Sequence, residues 1–240
     1  MNDESNYMRS NHTRPVSIQI LRISVFNPLN ILFSLCTILF LCGCQSQTTE
    51  STREEPTSTF KDVDGNTYKV KKVGNKYWIV DNFRALKSSS GQPLQGVYSY
   101  NDSISNTALF GRLYTWNAAV EATPPGWRLP TKDDWEELFA AQGGTSVAGG
   151  NLKETGTTRW NSPNAGAKNS AGLSLVGSGF RGPDGTYYDL GKHGSYWGTA
   201  NQAQDPFCVY LYYNYTNVKS EVSPIDKTSG IAFAVRYVKE

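Results

Sequence analysis

An apolar run from Ile31 to Leu41 ends at Gly43-Cys44, and a polar stretch rich in Ser, Thr and Glu follows it. The run is about eleven residues long, whereas a membrane-spanning helix needs roughly 20 and a secretory h-region about 7 to 15. Length therefore predicts a cleaved leader rather than a span. Arg9, Arg14 and Arg22 give the leader a positive flank against Asp3 and Glu4, and Met8 is an alternative start. An uncleaved anchor reaching back through Val25-Phe26 is the competing reading. On the leader reading, only the chain after residue 43 is available to fold.

Ser46 to Thr59 contains Pro56 and almost no apolar residue. Such a stretch has too little surface to bury and reads as a flexible tether. The expected organisation is a leader over 1–43, a tether over 44–59 and one domain over 60–240, a size usual for a single core. Removing the leader takes three basic and two acidic residues from the chain's 23 and 21, so the exported part is nearly neutral. That argues against nucleic acid, which asks for a basic footprint. Cys208 is the one cysteine after the tether and His193 the one histidine. An internal disulfide, a cysteine metal site and a histidine-rich cluster are thereby excluded from the domain.

All six tryptophans fall in the domain. Many rings with frequent Gly and Asn predict short strands, tight turns and much irregular chain. Phe60 to Asp81 reads as a β-meander with turns at Asp64-Gly65 and Gly74-Asn75. Phe83 to Ser105 is polar and reads as loop. A helix is expected from about Phe110, with Leu113, Trp116 and Val120 on one face. A second follows Pro130, where Thr131 and Asp134 form a capping box, and Gly143-Gly144 stops it. Ala148 to Ala171 is expected as a long ordered loop. The C-terminal third reads as a hairpin about Asp184-Gly185, a short strand at Ser195–Thr199, and alternating strands at Phe207–Tyr213 and Ile231–Val238. The expected class is α+β, with two helices, short antiparallel sheets and long ordered loops.

Leu41-Cys42-Gly43-Cys44 resembles the cleavage box of bacterial lipoproteins, in which the peptidase cuts before a cysteine that carries acyl chains. The resemblance implies lipidation at Cys44, and Gln45 rather than Asp after it implies the outer membrane. Acyl chains contribute about 0.8 kcal/mol per buried CH₂, and more than one makes anchoring stable.

In the domain, several blocks stand in order: Asp64-Gly65-Asn66-Thr67-Tyr68, Trp78-Ile79-Val80-Asp81-Asn82, Gly111-Arg112-Leu113-Tyr114-Thr115-Trp116, Gly126-Trp127-Arg128-Leu129-Pro130-Thr131, Ser195-Tyr196-Trp197-Gly198-Thr199 and Val235-Arg236-Tyr237-Val238-Lys239. Together they resemble the Fibrobacter succinogenes major paralogous domain of Bacteroidota and Fibrobacter envelope proteins. Cysteines that many members carry are replaced here by Pro125 and Tyr237, so no disulfide is carried over. Arg128 to Glu136 is also similar to the formylglycine-generating family, which implies a C-type-lectin-like fold. Fold likeness assigns no activity.

Three functional readings follow. The first is a non-catalytic module that binds a glycan or an envelope protein, with ring candidates Trp160, Tyr187, Tyr188, Tyr196 and Trp197 on loop-like segments, beside Tyr98 and Tyr100. The competing role for these rings is core packing. The second is an enzyme. Formylglycine-type oxidation needs a reactive cysteine pair, and this domain has Cys208 alone, in a strand where a buried inert thiol is the common case. His193 reads as an exposed turn residue, and no nucleophile elbow is present. The third is a subunit of a surface assembly. No cofactor is expected. Calcium would draw on Asn161, Asn164, Asp184, Asp189 and Asp205, but no compact loop supplies the 6 to 8 oxygens it takes. Asp102-Ser103-Ile104 resembles an O-glycosylation acceptor.

Overall fold

The computed structural model describes residues 58–200, 205–222 and 225–240. The leader and Cys44 lie outside the described residues. The last two residues assigned to the tether do not: they open the first strand.

β1 (Ser58–Lys61), β2 (Thr67–Val73) and β3 (Lys76–Ile79) form the expected meander, and β12 (Val238–Lys239) closes a four-stranded antiparallel sheet beside β3. In β2 the burial alternates, with Tyr68 and Val70 inward and lysines outward, as a half-buried strand requires. A second sheet has five strands in the order β4 (Val97–Tyr98), β5 (Leu113–Thr115), β11 (Ala232–Phe233), β6 (Phe180–Arg181) and β7 (Tyr187–Tyr188). The third joins β8 (His193–Thr199), β9 (Pro206–Tyr212) and β10 (Val218–Val222), with all pairs antiparallel.

Four α-helices are described where two were expected: α1 (Ile104–Phe110), α2 (Trp116–Glu121), α3 (Lys132–Ala141) and α4 (Thr145–Leu152). The mixed α/β class holds, but the helix count does not. The helix expected from Phe110 begins at Trp116, because Leu113–Thr115 is claimed by pairing in the five-stranded sheet. α1 falls partly in the expected loop before it. α4 follows the glycine stop instead of a loop. Its Gly149 and Gly150 have no room for a Cβ against the carbonyls of Asn217 and Gly166, so close backbone approach outweighs their poor helix propensity.

α3 carries the expected capping box. Thr131 Oγ1 accepts from the Asp134 N–H (3.2 Å), and Asp134 Oδ2 accepts from the Thr131 N–H (2.7 Å). Burial works to raise the Asp134 pKa. Hydrogen bonds from Arg128, the Thr131 N–H and Lys76 prevail and hold it below the usual carboxylate range.

The central strands separate two ring-filled cores. Tyr196 faces Trp135, Phe139 and Trp160, while its neighbour Trp197 faces Trp116, Phe233 and Tyr114. Val209 and Cys208, and then Ala234 and Val235, divide the same way. β8 is consequently buried at every residue, and the half-buried alternation expected for Ile231–Val238 gives way to burial on both faces. Gly198 packs closely as well: a Cβ there would meet Pro130 O at 2.8 Å and the Trp135 indole nitrogen at 2.9 Å.

Candidate functional site

Three of the five ring candidates belong to the cores, which corrects their assignment to a ligand surface. Trp160, Tyr196 and Trp197 are each at most 1% exposed. Each closes its polar atom on a backbone carbonyl. Trp160 Nε1 donates to Leu175 O (2.8 Å), Trp197 Nε1 to Tyr114 O (2.7 Å) and the Tyr196 hydroxyl to Val176 O (2.9 Å). A large ring whose single donor finds a carbonyl is well suited to a core.

Tyr187 and Tyr188 reach the surface on β7. The Tyr187 hydroxyl donates to Asp102 (2.7 Å), and its pKa is pushed up to about 12 by burial and then by that carboxylate. The Tyr188 hydroxyl donates to Asp184 (2.8 Å), which raises its pKa and lowers that of Asp184. The Arg181 guanidinium lies 4.1 Å from the Tyr98 ring centroid and 5.9 Å from that of Tyr187, within cation–π range. One face of Tyr188 stacks on Phe180.

The domain's one thiol and one imidazole are inside. Cys208 is buried in β9. His193, expected in an exposed turn, is 9% exposed on β8, stacked on Tyr212 at 4.5 Å with Phe180 and Tyr210 beside it. Burial lowers its pKa to about 4, against a weaker opposing pull from Asp189. Its Nδ1 lies 3.5 Å from the hydroxyl of Ser195, which is fully buried, and its Nε2 has no hydrogen-bond partner among the described residues. The pair is the i, i+2 spacing of one strand face.

Two further cations are buried for structural ends. Arg236 Nε donates to Asn82 Oδ1 (2.6 Å), and its terminal nitrogens to Leu173 O (2.9 Å) and Ser174 O (3.1 Å). Lys153 Nζ donates to Tyr212 O (2.9 Å) and Tyr215 O (3.0 Å), and burial lowers its pKa to about 8.

Of the oxygen ligands weighed for calcium, Asp184 holds Tyr188 and the Thr186 N–H, and Asp205 pairs with Lys227. Asn164 donates to Glu154 O and Gly156 O. Among the described residues, no three His, Cys, Asp or Glu side chains converge on a metal-sized site.

One surface depression was not anticipated from sequence. It is a groove of about 410 Å³ with Arg84 and Arg112 in its lining and Leu86, Ile104 and Ala108 along it. Four separate segments build it: the β1–β2 turn, the chain after β3, α1, and the residue before β5. Arg84 Nη2 donates to Thr67 O (2.9 Å), and its guanidinium covers the Tyr68 ring at 4.7 Å. Arg112 Nε donates to Arg84 O (3.2 Å) and Nη1 to Ser99 Oγ (2.8 Å). Ser99 also accepts from Thr107 (2.7 Å), which ties the groove floor to α1. Gly111, in the left-handed region at φ +74°, packs on Asn82 and lets the chain turn from α1 to Arg112. The same segment reaches the tyrosine face, because Asp102 precedes α1 and holds Tyr187. The available signal was Arg112 itself, inside a motif block; nothing in the sequence joined it to Arg84.

The model of the Fibrobacter succinogenes major domain matches residues 71–239. The chain belongs to that family. No curated protein and no solved structure matches it.

Proposed function

We propose that this member of the Fibrobacter succinogenes major domain family is a lipid-anchored binding protein of the outer membrane. On this reading Cys44 carries the acyl chains, palmitate among them, and one C-type-lectin-like domain binds a glycan or an envelope protein without transforming it. The observation that carries the reading is the contrast in placement. His193, Ser195 and Cys208 are buried, while the segment around α1 holds a groove and a tyrosine–arginine surface rigid with hydrogen bonds. Binding surfaces on loops held by a rigid scaffold are the usual arrangement. The lectin-like assignment draws on the α+β class and on Arg128 to Glu136 leading into α3.

A second reading, a structural component of a surface assembly, draws on the exposed aliphatic side chains Ile104, Leu109 and Val147. A glycan array and a pull-down from envelope extract, both with the full chain, separate the two. Retention on defined sugars supports glycan binding, stoichiometric co-purification supports assembly, and silence in both contradicts the binding reading. Palmitate labelling tests the anchor: incorporation is expected in the native chain and lost in Cys44→Ala. Labelling that survives this substitution, or an unlabelled native chain, contradicts it.

A further inference from the structure

The groove has a charge pattern that specifies its ligand more narrowly. Among the described arginines, Arg128 holds Asp134 and Glu240, and Arg159 holds Glu154. Arg84 and Arg112, like Arg181 and the buried Arg236, instead bond to neutral oxygens, here Thr67 O, Ser99 Oγ and Arg84 O, and of these four only Arg84 and Arg112 line the groove. Those bonds fix both guanidiniums and leave Arg84 Nε and Nη1 and Arg112 Nη2 without a hydrogen-bond partner among the described residues. The carboxylate in the lining, Asp64, pairs with neither arginine: it accepts from the Leu86 N–H (2.6 Å) and the Lys87 N–H (3.2 Å) and pairs with Lys87 Nζ at 3.4 Å. Two pre-positioned guanidiniums with spare donors match a carboxylate, which accepts from Arg in a planar fork.

The walls discriminate between sources of that carboxylate. Ile104 is 73% exposed and Leu86 45%, with Ala108 beside them, and no aromatic ring lines the groove. The lining offers no ring on which an apolar sugar face could stack. Aliphatic walls suit aliphatic side chains. Exposed aliphatics beside fixed cations make a surface whose burial is favourable only if the partner brings both apolar atoms and negative charge.

We propose that the Arg84–Arg112 groove binds an acidic peptide segment, an Asp or Glu carboxylate flanked by aliphatic residues, of a partner protein. The assignment rests on the binding reading above and chooses protein over glycan for this surface. Arg84 and Arg112 hold the carboxylate, and Leu86, Ile104 and Ala108 receive the flanking side chains.

The test titrates the full chain with three probes: an eight-residue peptide carrying two Asp between Ile and Leu residues, its Asn counterpart, and oligogalacturonate. The Asp peptide is expected to bind about tenfold or more tightly than the Asn peptide, as loss of a charge-assisted hydrogen bond implies. Added salt narrows the difference. Arg84→Gln removes the preference, with near-ultraviolet circular dichroism reporting that the fold is kept. Ile104→Glu, at a position too exposed to disturb folding, places a carboxylate in the groove and also abolishes binding. Equal affinity for the two peptides, or a preference that survives both substitutions, overturns the proposal. So does Arg84-dependent binding of oligogalacturonate without peptide binding. If no probe binds here while the array or pull-down succeeds, this inference fails and the wider reading stands. If those also fail, both fall.

Discussion

Three core rings and the groove beside α1 treat polar atoms in opposite ways, although the core ring Trp135 keeps an Nε1 with no hydrogen-bond partner among the described residues. In the cores, Trp160, Tyr196 and Trp197 are sealed from solvent and each closes its one donor on a carbonyl. At the groove, Arg84 and Arg112 are pinned by neutral acceptors with donors to spare, beside aliphatic side chains left in solvent. A supply of aromatic rings, which in sequence resembles a ligand platform, serves here to fill two cores on either side of the central strands. At the groove the exposed chemistry is cationic and aliphatic instead, while Tyr188 and Tyr215 stay exposed elsewhere.

The largest test of that contrast is Trp197→Ala. It empties the space between Trp116 and Phe233 and frees a carbonyl, so a loss of about 4 kcal/mol is expected in urea denaturation. A loss under about 1 kcal/mol would place Trp197 outside the load of the core.

The second test is pH. The His193 pKa lies at about 4, below the ordinary 6.5, because burial disfavours its charge. The unfolded chain takes up the proton near 6.5 and the folded chain does not until about 4. Stability is therefore full above about 6.5 and falls by roughly 3 kcal/mol as the pH drops toward 4. The lowered Asp134 carboxylate contributes its loss below the ordinary carboxylate range, so the two windows separate. His193→Phe is expected to flatten the upper window. An unchanged slope in that variant assigns the effect to another group.

The smallest effect is expected at the groove. Ile104→Ala changes stability by no more than about 0.5 kcal/mol, because the side chain is 73% exposed. A larger loss in urea denaturation would make Ile104 part of the packing and erase the contrast.

What was legible in the sequence was what local chemistry decides. Thr131 and Asp134 define the start of α3 within four residues, and the glycine turns define the meander and the β6–β7 hairpin. α1 and α4 were not legible, since neither short segment has a clear apolar period and α4 depends on glycines packed against distant carbonyls. Burial of Lys153 and Arg236 runs against their usual surface preference and follows from carbonyls brought together only by the fold. The exposed-turn expectation for His193 failed for a related reason: Phe180 and Tyr212 converge on it from other strands. The groove was hidden because its residues come from four separated segments, each unremarkable alone. Cys44 is conspicuous in sequence and lies outside the described residues.

The most direct measurement is amide chemical-shift mapping of the nitrogen-15-labelled full chain during titration with the Asp peptide. The largest shifts are expected to cluster at Arg84, Ile104, Thr107, Ala108 and Arg112, with the Trp160 and Trp197 indoles unmoved. Largest shifts at Tyr187 and Tyr188, or at either indole, would contradict the groove assignment.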